Sequence, residues 1–250
     1  MTPRRAMPSP LESVLQVLHS PAAFFEERPP GETLPIAAGL VVAYTLTLVA
    51  VLFLVGSIMA GSVDATVTMD NPDRPPAQIC DTMGEQSDSI IAERCGEPEE
   101  IERDAGALLQ EAVHEFVPFV LIGPFLLWGI GGLVLFAGGR LAAGSPSLGG
   151  SFALAGWAVV PEFARLVVVV PAFWVAFRDV TITDPERGVE AVEAALAPIE
   201  PILLVSSLLV LAWQWYLLSG GLSEDADISL EAAAIAVGVP LAIFGLLGLV

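Results

Sequence analysis

Five long apolar stretches constrain this chain more than any other feature of its sequence. A bilayer core about 30 Å thick is crossed by about 20 apolar residues, each rising about 1.5 Å along a helix. Runs such as Leu46 to Val55 carry no charged side chain on any face, unlike the amphipathic helices of soluble bundles. They therefore predict transmembrane helices. The five predicted spans are residues 34–60, 116–137, 152–177, 202–222 and 232–250.

The composition supports this interpretation. Hydrophobic residues make up 54% of the 250 residues and charged residues only 16%, against roughly a quarter charged in soluble domains. The net charge is −19, and all ten basic residues are arginine. This balance excludes nucleic-acid binding, which requires a basic surface, and the apolar content excludes disorder for most of the chain. The predicted fold class is an all-α, polytopic membrane protein, a bundle of five transmembrane helices in the lipid bilayer.

The charges are concentrated between the predicted spans. Residues 61–112 hold 13 of the 29 acidic residues, and residues 178–201 form a second acidic loop. A carboxylate excess without lysine suits a cell with very high salt, where carboxylates hold water and their repulsion is screened. The composition resembles that of haloarchaeal proteins.

Residues 1–33 are predicted to form an amphipathic segment before the first span. Leu11 to Leu18 place apolar residues on one helical face, and the Phe24-Phe25 pair follows Pro21. This apolar stripe can lie on the lipid headgroups or pack on the bundle itself. The sequence leaves both arrangements open.

Cys80 and Cys95 are the only cysteines, and both lie in the first acidic loop. An even pair in a water-facing loop predicts a disulfide and places that loop in an oxidising exterior. The alternatives are two free thiols or a metal site that adds His114 or loop carboxylates. The metal site lacks the ligand spacing of zinc sites, so we predict no metal and no cofactor.

Glu162 and Arg165 lie near the centre of the third predicted span, three residues apart on one helical face. Charges at this depth are costly, so they pair or line a polar cavity, and Pro161 adds a freed backbone carbonyl nearby. We favour a structural charge pair, because the other spans carry no second acid or base. The alternative is a small-solute or ion transporter that uses this intramembrane Glu/Arg centre.

The sequence contains none of the common catalytic motifs. It lacks H-E-x-x-H, G-x-S-x-G, a Walker lysine and a G-x-G-x-x-G that follows a strand. Its two histidines, His19 and His114, are far apart. We therefore predict a non-enzymatic protein.

Several short motifs follow one another in a characteristic order. They are Leu18 to Phe25, with its Pro-plus-Phe pattern; Gly123-Pro124-Phe125; Gly149-Gly150-Ser151-Phe152; Gly156-Trp157-Ala158-Val159-Val160-Pro161; and the segments from Trp213 to Gly221 and from Ser229 to Pro240. In this order they resemble the pre-span segment, the Gly-Pro step, the Gly-Gly loop, the Gly-Tyr-x-x-x-Pro run and the last two spans of the YIP (Ypt-interacting protein) family.

The resemblance implies a five-span membrane protein with roles in membrane shaping and vesicle traffic. Its expected partners are the lipid bilayer, a membrane or cytoplasmic protein and further copies of the chain. Val120, Leu121 and Ile122 stand where eukaryotic members carry Asp-Leu-Tyr, and Trp157 replaces the tyrosine, so binding of Rab-type GTPases is not carried over. The arginine counts on the two sides, four against five, do not decide the orientation. The usual family topology, with the N-terminus in the cytoplasm and the C-terminus outside the cell membrane, agrees with an external disulfide.

Overall fold

The computed structural model describes Gln16, residues 20–83 and residues 90–247. Four helical segments in these residues are long and apolar enough to cross a membrane: Pro30–Gly61, Ala105–Leu141, Leu148–Phe177 and Glu200–Ala226. A shorter apolar helix covers Leu230–Gly245. The predicted all-α, polytopic membrane fold is confirmed. The predicted stripe from Leu11 to Leu18 lies outside the described residues, except for Gln16.

The helices and strands follow the chain in this order: α1 (Pro21–Glu27), α2 (Leu34–Gly61), β1 (Thr66–Asp70), α3 (Ala77–Met83), α4 (Ile90–Cys95), β2 (Glu100–Asp104), α5 (Ala105–Leu141), α6 (Leu148–Trp157), α7 (Val160–Phe177), α8 (Gly188–Leu196), α9 (Glu200–Ala226) and α10 (Leu230–Leu247). Two 3₁₀ turns cover Pro30–Thr33 and Pro185–Arg187. Helix α2 closely matches the first predicted span.

Helix α5 begins well before the apolar run that predicts the second span. Asp104 caps its first turn, because its Oδ1 accepts a hydrogen bond from the Ala107 amide at 2.7 Å. The charged turns that contain Glu111 and Glu115 then continue the helix into residues 116–137. Residues that favour helix outside the apolar stretch therefore extend α5 beyond the span that hydropathy predicts.

The third predicted span is two helices rather than one. Pro161 has no amide hydrogen to donate to the carbonyl of Trp157. The amides of Glu162 and Phe163 both turn to the Val159 carbonyl, at 3.0 and 3.4 Å. Helix α6 therefore ends at Trp157 and α7 begins at Val160, with Pro161 as its second residue, which places Glu162 in the first turn of α7. A carboxylate there interacts favourably with the helix dipole.

The described parts of Met1–Phe53, Phe116–Phe173 and Pro198–Val250 form one compact unit, the bundle unit. Its buried core combines the two aromatic residues of α1 with apolar side chains of α5, α6, α9 and α10. Phe24, Trp157, Leu217 and Leu222 are completely buried in it. Many other apolar side chains of the long helices are exposed, as expected for surfaces that face lipid.

The described parts of Leu54–Glu115 and Trp174–Ala197 form a second compact unit, the loop unit. Strands β1 and β2 pair antiparallel in it, with Thr66 opposite Asp104 and Asp70 opposite Glu100. The ribbon was not expected, because acidic residues are depleted in strands. The acidic residues are tolerated because exposed and half-buried residues alternate along both strands, and the carboxylates lie on the exposed face.

The two acidic loops of the sequence meet within the loop unit. Val63 and Ile182 form a parallel bridge, in which the Asp64 amide donates to the Ile182 carbonyl at 2.9 Å. The Ile182 amide in turn donates to the Ser62 carbonyl at 2.7 Å. The connections after the first and third predicted spans are therefore hydrogen-bonded to each other.

Candidate functional site

The pre-span aromatic pair is buried in the bundle unit. The side chains of Phe24 and Phe25 are 0% and 1% exposed. Their rings pack edge to face at 5.1 Å, and the Phe24 ring meets the ring of Trp157 at 5.3 Å in the same geometry. Each such pair adds about 0.5–1.5 kcal/mol beyond the burial of area. Helix α1 is therefore fixed on α6 instead of lying free.

Trp157 also makes the central polar contact of this region. Its indole Nε1 donates to Oγ1 of Thr33 at 3.0 Å, and that hydroxyl donates to the carbonyl of Pro30 at 2.7 Å. Leaving a buried donor without an acceptor costs about 1–3 kcal/mol. The indole therefore ties the end of α6 to the 3₁₀ turn that precedes α2.

The Gly-Gly loop is the N-terminus of α6, and a carboxylate from α9 closes it. Ser147 caps the helix, because its Oγ accepts from the Gly150 amide at 2.9 Å. Asp225 accepts hydrogen bonds from the amide and the hydroxyl of Ser147, at 3.0 and 2.8 Å. A Cβ atom at Gly150 would lie 1.9 Å from Oδ1 of Asp225. Gly150 therefore leaves the space that the carboxylate occupies.

Further glycines bring these elements into close contact. A Cβ at Gly156 would lie 2.8 Å from Cβ of Ala37, and one at Gly221 would lie 2.1 Å from a methyl of Leu154. Small residues allow membrane helices to approach closely. We call the resulting assembly the motif cluster; it comprises Phe24, Phe25, Gly31, Thr33, Ser147, Gly149, Gly150, Gly156, Trp157, Gly221 and Asp225.

A second group of polar side chains in the bundle unit lies near the middle of the first, third and fourth predicted spans. Nη2 of Arg165 is 2.8 Å from Oε2 of Glu162. Nε2 of Gln214 donates to Oε1 of Glu162 and to the Ala158 carbonyl, both at 3.0 Å. The Tyr44 hydroxyl is within hydrogen-bonding reach of the Arg165 guanidinium. We call Tyr44, Glu162, Arg165 and Gln214 the midspan polar group.

The midspan polar group supplies a hydrogen-bond donor at the break between α6 and α7. The Glu162 amide bonds to Val159 and not to Ala158, so the break leaves the Ala158 carbonyl without its helical donor. Gln214 of α9 supplies that donor and also holds the carboxylate that pairs with Arg165. These contacts connect α2, α7 and α9 through polar side chains. The opposite charges of Glu162 and Arg165 cancel within the group.

The remaining predicted residues lie elsewhere. Gly123 and Pro124 occupy the middle of α5, and a Cβ at Gly123 would meet nothing within 4 Å. The sulfur atoms of Cys80 and Cys95 form a disulfide that joins α3 to α4 in the loop unit. In the described ranges, no three His, Cys, Asp or Glu side chains are grouped to hold a metal ion.

A family model, the Yip1 domain, matches residues 15–250. The chain belongs to the Yip1 domain family. This family comprises membrane proteins with trafficking and interaction roles, and it is not an enzyme family. Comparisons with curated proteins and with solved structures give no significant match.

Three of the segments that resemble YIP motifs in the sequence come together in the motif cluster. They are the Pro-plus-Phe segment, the Gly-Gly loop and the Gly-Trp-x-x-x-Pro run, which ends at Pro161 beside the helix break. The Gly-Pro step at Gly123 and Pro124 does not join them. Nothing in the family match supports the alternative of a small-solute or ion transporter.

Sequence reasoning missed four residues that complete these two groups of the Yip1 chain. They are Thr33, Ser147, Asp225 and Gln214. Gln214 had a usable signal, because an amide within an apolar span usually bonds to another helix. Ser147 had a weaker one, since serine is a preferred N-cap residue. Asp225 lies in an acidic run that offers no signal of its own.

Proposed function

We propose that this Yip1 chain is a non-enzymatic membrane protein that organises membranes or binds other proteins. The observation that carries the proposal is the convergence of three family segments in the motif cluster. Two polar contacts close this region, the indole of Trp157 with Thr33 and Asp225 with Ser147, and the Ser151 hydroxyl of the Gly-Gly loop, which has no hydrogen-bond partner among the described residues, is buried away from solvent. A cluster whose polar groups are closed off in this way is a rigid platform, whereas a reaction centre needs polar groups that remain open to a substrate.

The proposed topology has five crossings, with α10 as the fifth. Its 18 residues extend about 27 Å, close to a hydrocarbon core of about 30 Å. The N-terminus lies in the cytoplasm and the C-terminus outside the cell membrane. A disulfide favours an oxidising exterior, which supports an external position for the loop that contains Cys80 and Cys95. The acidic composition supports a host cell with high salt.

A photo-crosslinking experiment tests the proposed function. A photoreactive amino acid replaces Leu148, an exposed residue beside the Gly-Gly loop, in the full chain in native membranes at high salt. The matched control places it at Val189, an exposed residue of α8. We expect one protein, or a second copy of the chain, to be crosslinked reproducibly at position 148 and not at position 189.

Vesicle morphology provides the second readout of this experiment. The purified chain is reconstituted in lipid vesicles, and vesicle shape is imaged against protein-free vesicles. A membrane-organising role predicts tubulated or more strongly curved vesicles. The proposal is wrong if no crosslinked protein is specific to position 148 and vesicle shape is unchanged.

A further inference from the structure

Arg165 is the more exposed partner of the midspan ion pair. Its side chain is 36% exposed, against 18% for Glu162. Val168, one helical turn later on the same face, is 47% exposed. The guanidinium therefore lies partly on the surface of the bundle, in an aliphatic surrounding, and is not enclosed within it.

Arg165 lies far from both ends of the apolar segment Leu148–Phe177. Twelve residues separate it from the end of α7 at Phe177, a distance of about 18 Å along the helix. Half of the hydrocarbon core is about 15 Å. The side chain is much shorter than this distance, so it cannot bring its charge to an undistorted headgroup layer.

The guanidinium also has more donors than the described residues offer acceptors for it. It carries five N–H groups, and its contacts in the described structure are the Glu162 carboxylate and the Tyr44 hydroxyl. Hydrocarbon offers no acceptor for the donors on the exposed side. Arginine at such a depth draws in water and lipid headgroups and thins the bilayer locally.

We infer that the face of α7 around Arg165 is a hydrated surface at which the bilayer is thinned, with water and lipid headgroups as its partners. The inference goes beyond the proposed function, because it concerns the lipid beside one helix and requires no protein partner. It also gives the ion pair a consequence for the membrane in addition to its contacts within the bundle.

Spin labels at two exposed positions within the apolar helices test the inference. The purified full chain in defined lipid vesicles carries a label at Val168→Cys or, as the control, at Leu127→Cys. Leu127 is 66% exposed and lies in the middle of α5. Cys80 and Cys95 are joined to each other, so the new cysteine is the only free thiol. Collision rates are measured with a water-soluble nickel complex and with oxygen.

We expect the nickel complex to reach the label at position 168 several-fold more often than the label at 127. In a chain with Glu162→Leu and Arg165→Leu, this excess is expected to disappear. Equal nickel access at both positions would overturn the inference, as would an excess that survives in the double variant. A label at 168 shielded from both nickel and oxygen would show a second copy on this face and would equally overturn it. The comparison of positions 168 and 127 in the unaltered background holds even if the double variant does not fold.

Discussion

Gly150 illustrates how one absent side chain makes room for another residue far along the chain. Asp225 occupies the position that a Cβ atom at Gly150 would need. Gly150→Ala must therefore displace the carboxylate and break its two hydrogen bonds to Ser147. We expect the free energy of unfolding to fall by about 1–3 kcal/mol, the usual range for overpacking. Thermal unfolding of the purified chain in detergent at high salt measures the loss.

Gly39→Ala is the matched control for this substitution. Gly39 lies within α2, and a Cβ there would meet nothing within 4 Å. The control should therefore unfold at the parent temperature or above it, since alanine is the better helix former. Equal stability of the two variants would contradict the packing of Asp225 against the Gly-Gly loop.

The ion pair between Glu162 and Arg165 gives a second prediction at this scale. Removing one partner leaves an uncompensated charge, which costs about 3–5 kcal/mol in a fully buried pair. The loss should be smaller here, because Arg165 is partly exposed. We expect Glu162→Gln or Arg165→Met to lower the yield and thermal stability of the folded chain. The double variant, with Glu162→Leu and Arg165→Leu, should recover both properties; stable single variants would exclude a structural pair.

The sequence predicted some residue contacts and not others, and sequence distance separates the two cases. Glu162 and Arg165 are three residues apart, so helical geometry alone brings them together. Gln214 lies 52 residues beyond Glu162, and Asp225 lies 78 beyond Ser147. Their partners depend on how whole helices pack, which a single sequence does not reveal.

At the scale of elements, the break between α6 and α7 depends on its partner helix. Gln214→Leu removes the donor to the Ala158 carbonyl and leaves that acceptor unsatisfied at the break. We expect a loss between about 0.6 kcal/mol, the average for a hydrogen bond between membrane helices, and about 1.7 kcal/mol, the largest such value. Thermal unfolding in detergent measures it.

Thr47→Val is the control for this element, because the Thr47 hydroxyl donates to the Ala43 carbonyl of its own helix, α2, at 2.8 Å. It removes a polar group without removing a contact between helices. Its unfolding temperature should stay close to that of the parent. A Gln214→Leu variant as stable as Thr47→Val would contradict the role assigned to Gln214.

The elements themselves were predictable where lipid dictates them. Long uncharged runs must form helices in a bilayer, since every backbone group needs an internal partner. Outside the bilayer that constraint ends, and the sequence predicts the helices and strands less well. The sequence predicts an acidic loop over residues 61–112, yet Glu100–Asp104 form β2, with the carboxylates on its exposed face. Their partner strand, β1, lies some thirty residues earlier in the chain.

At the scale of the whole molecule, the disulfide reports the orientation in the membrane. If the loop that contains Cys80 and Cys95 is outside, an impermeant thiol reagent should label intact cells only after a reductant is added. Labelling without reduction would show free thiols. Lysed cells provide the control: reduced thiols that react only after lysis would place the loop in the cytoplasm and reverse the proposed topology.

Three segments that resemble YIP motifs form one cluster, in which the segment before α2 is held against the N-terminus of α6. Gly31 and Gly149 mark this contact, because a Cβ at Gly149 would lie 3.9 Å from the Cα of Gly31. Cysteines at positions so close can form a disulfide. The most direct measurement is therefore oxidative crosslinking of the Gly31→Cys, Gly149→Cys double variant in membranes, read by mass spectrometry of the linked peptides.

The Gly39→Cys, Gly149→Cys pair is the control, since nothing lies within 4 Å of a Cβ at Gly39. We predict rapid and nearly complete crosslinking between positions 31 and 149 and none between positions 39 and 149. If the cysteines at 31 and 149 both react with an alkylating reagent but do not form the crosslink on oxidation, the motif cluster does not exist as described.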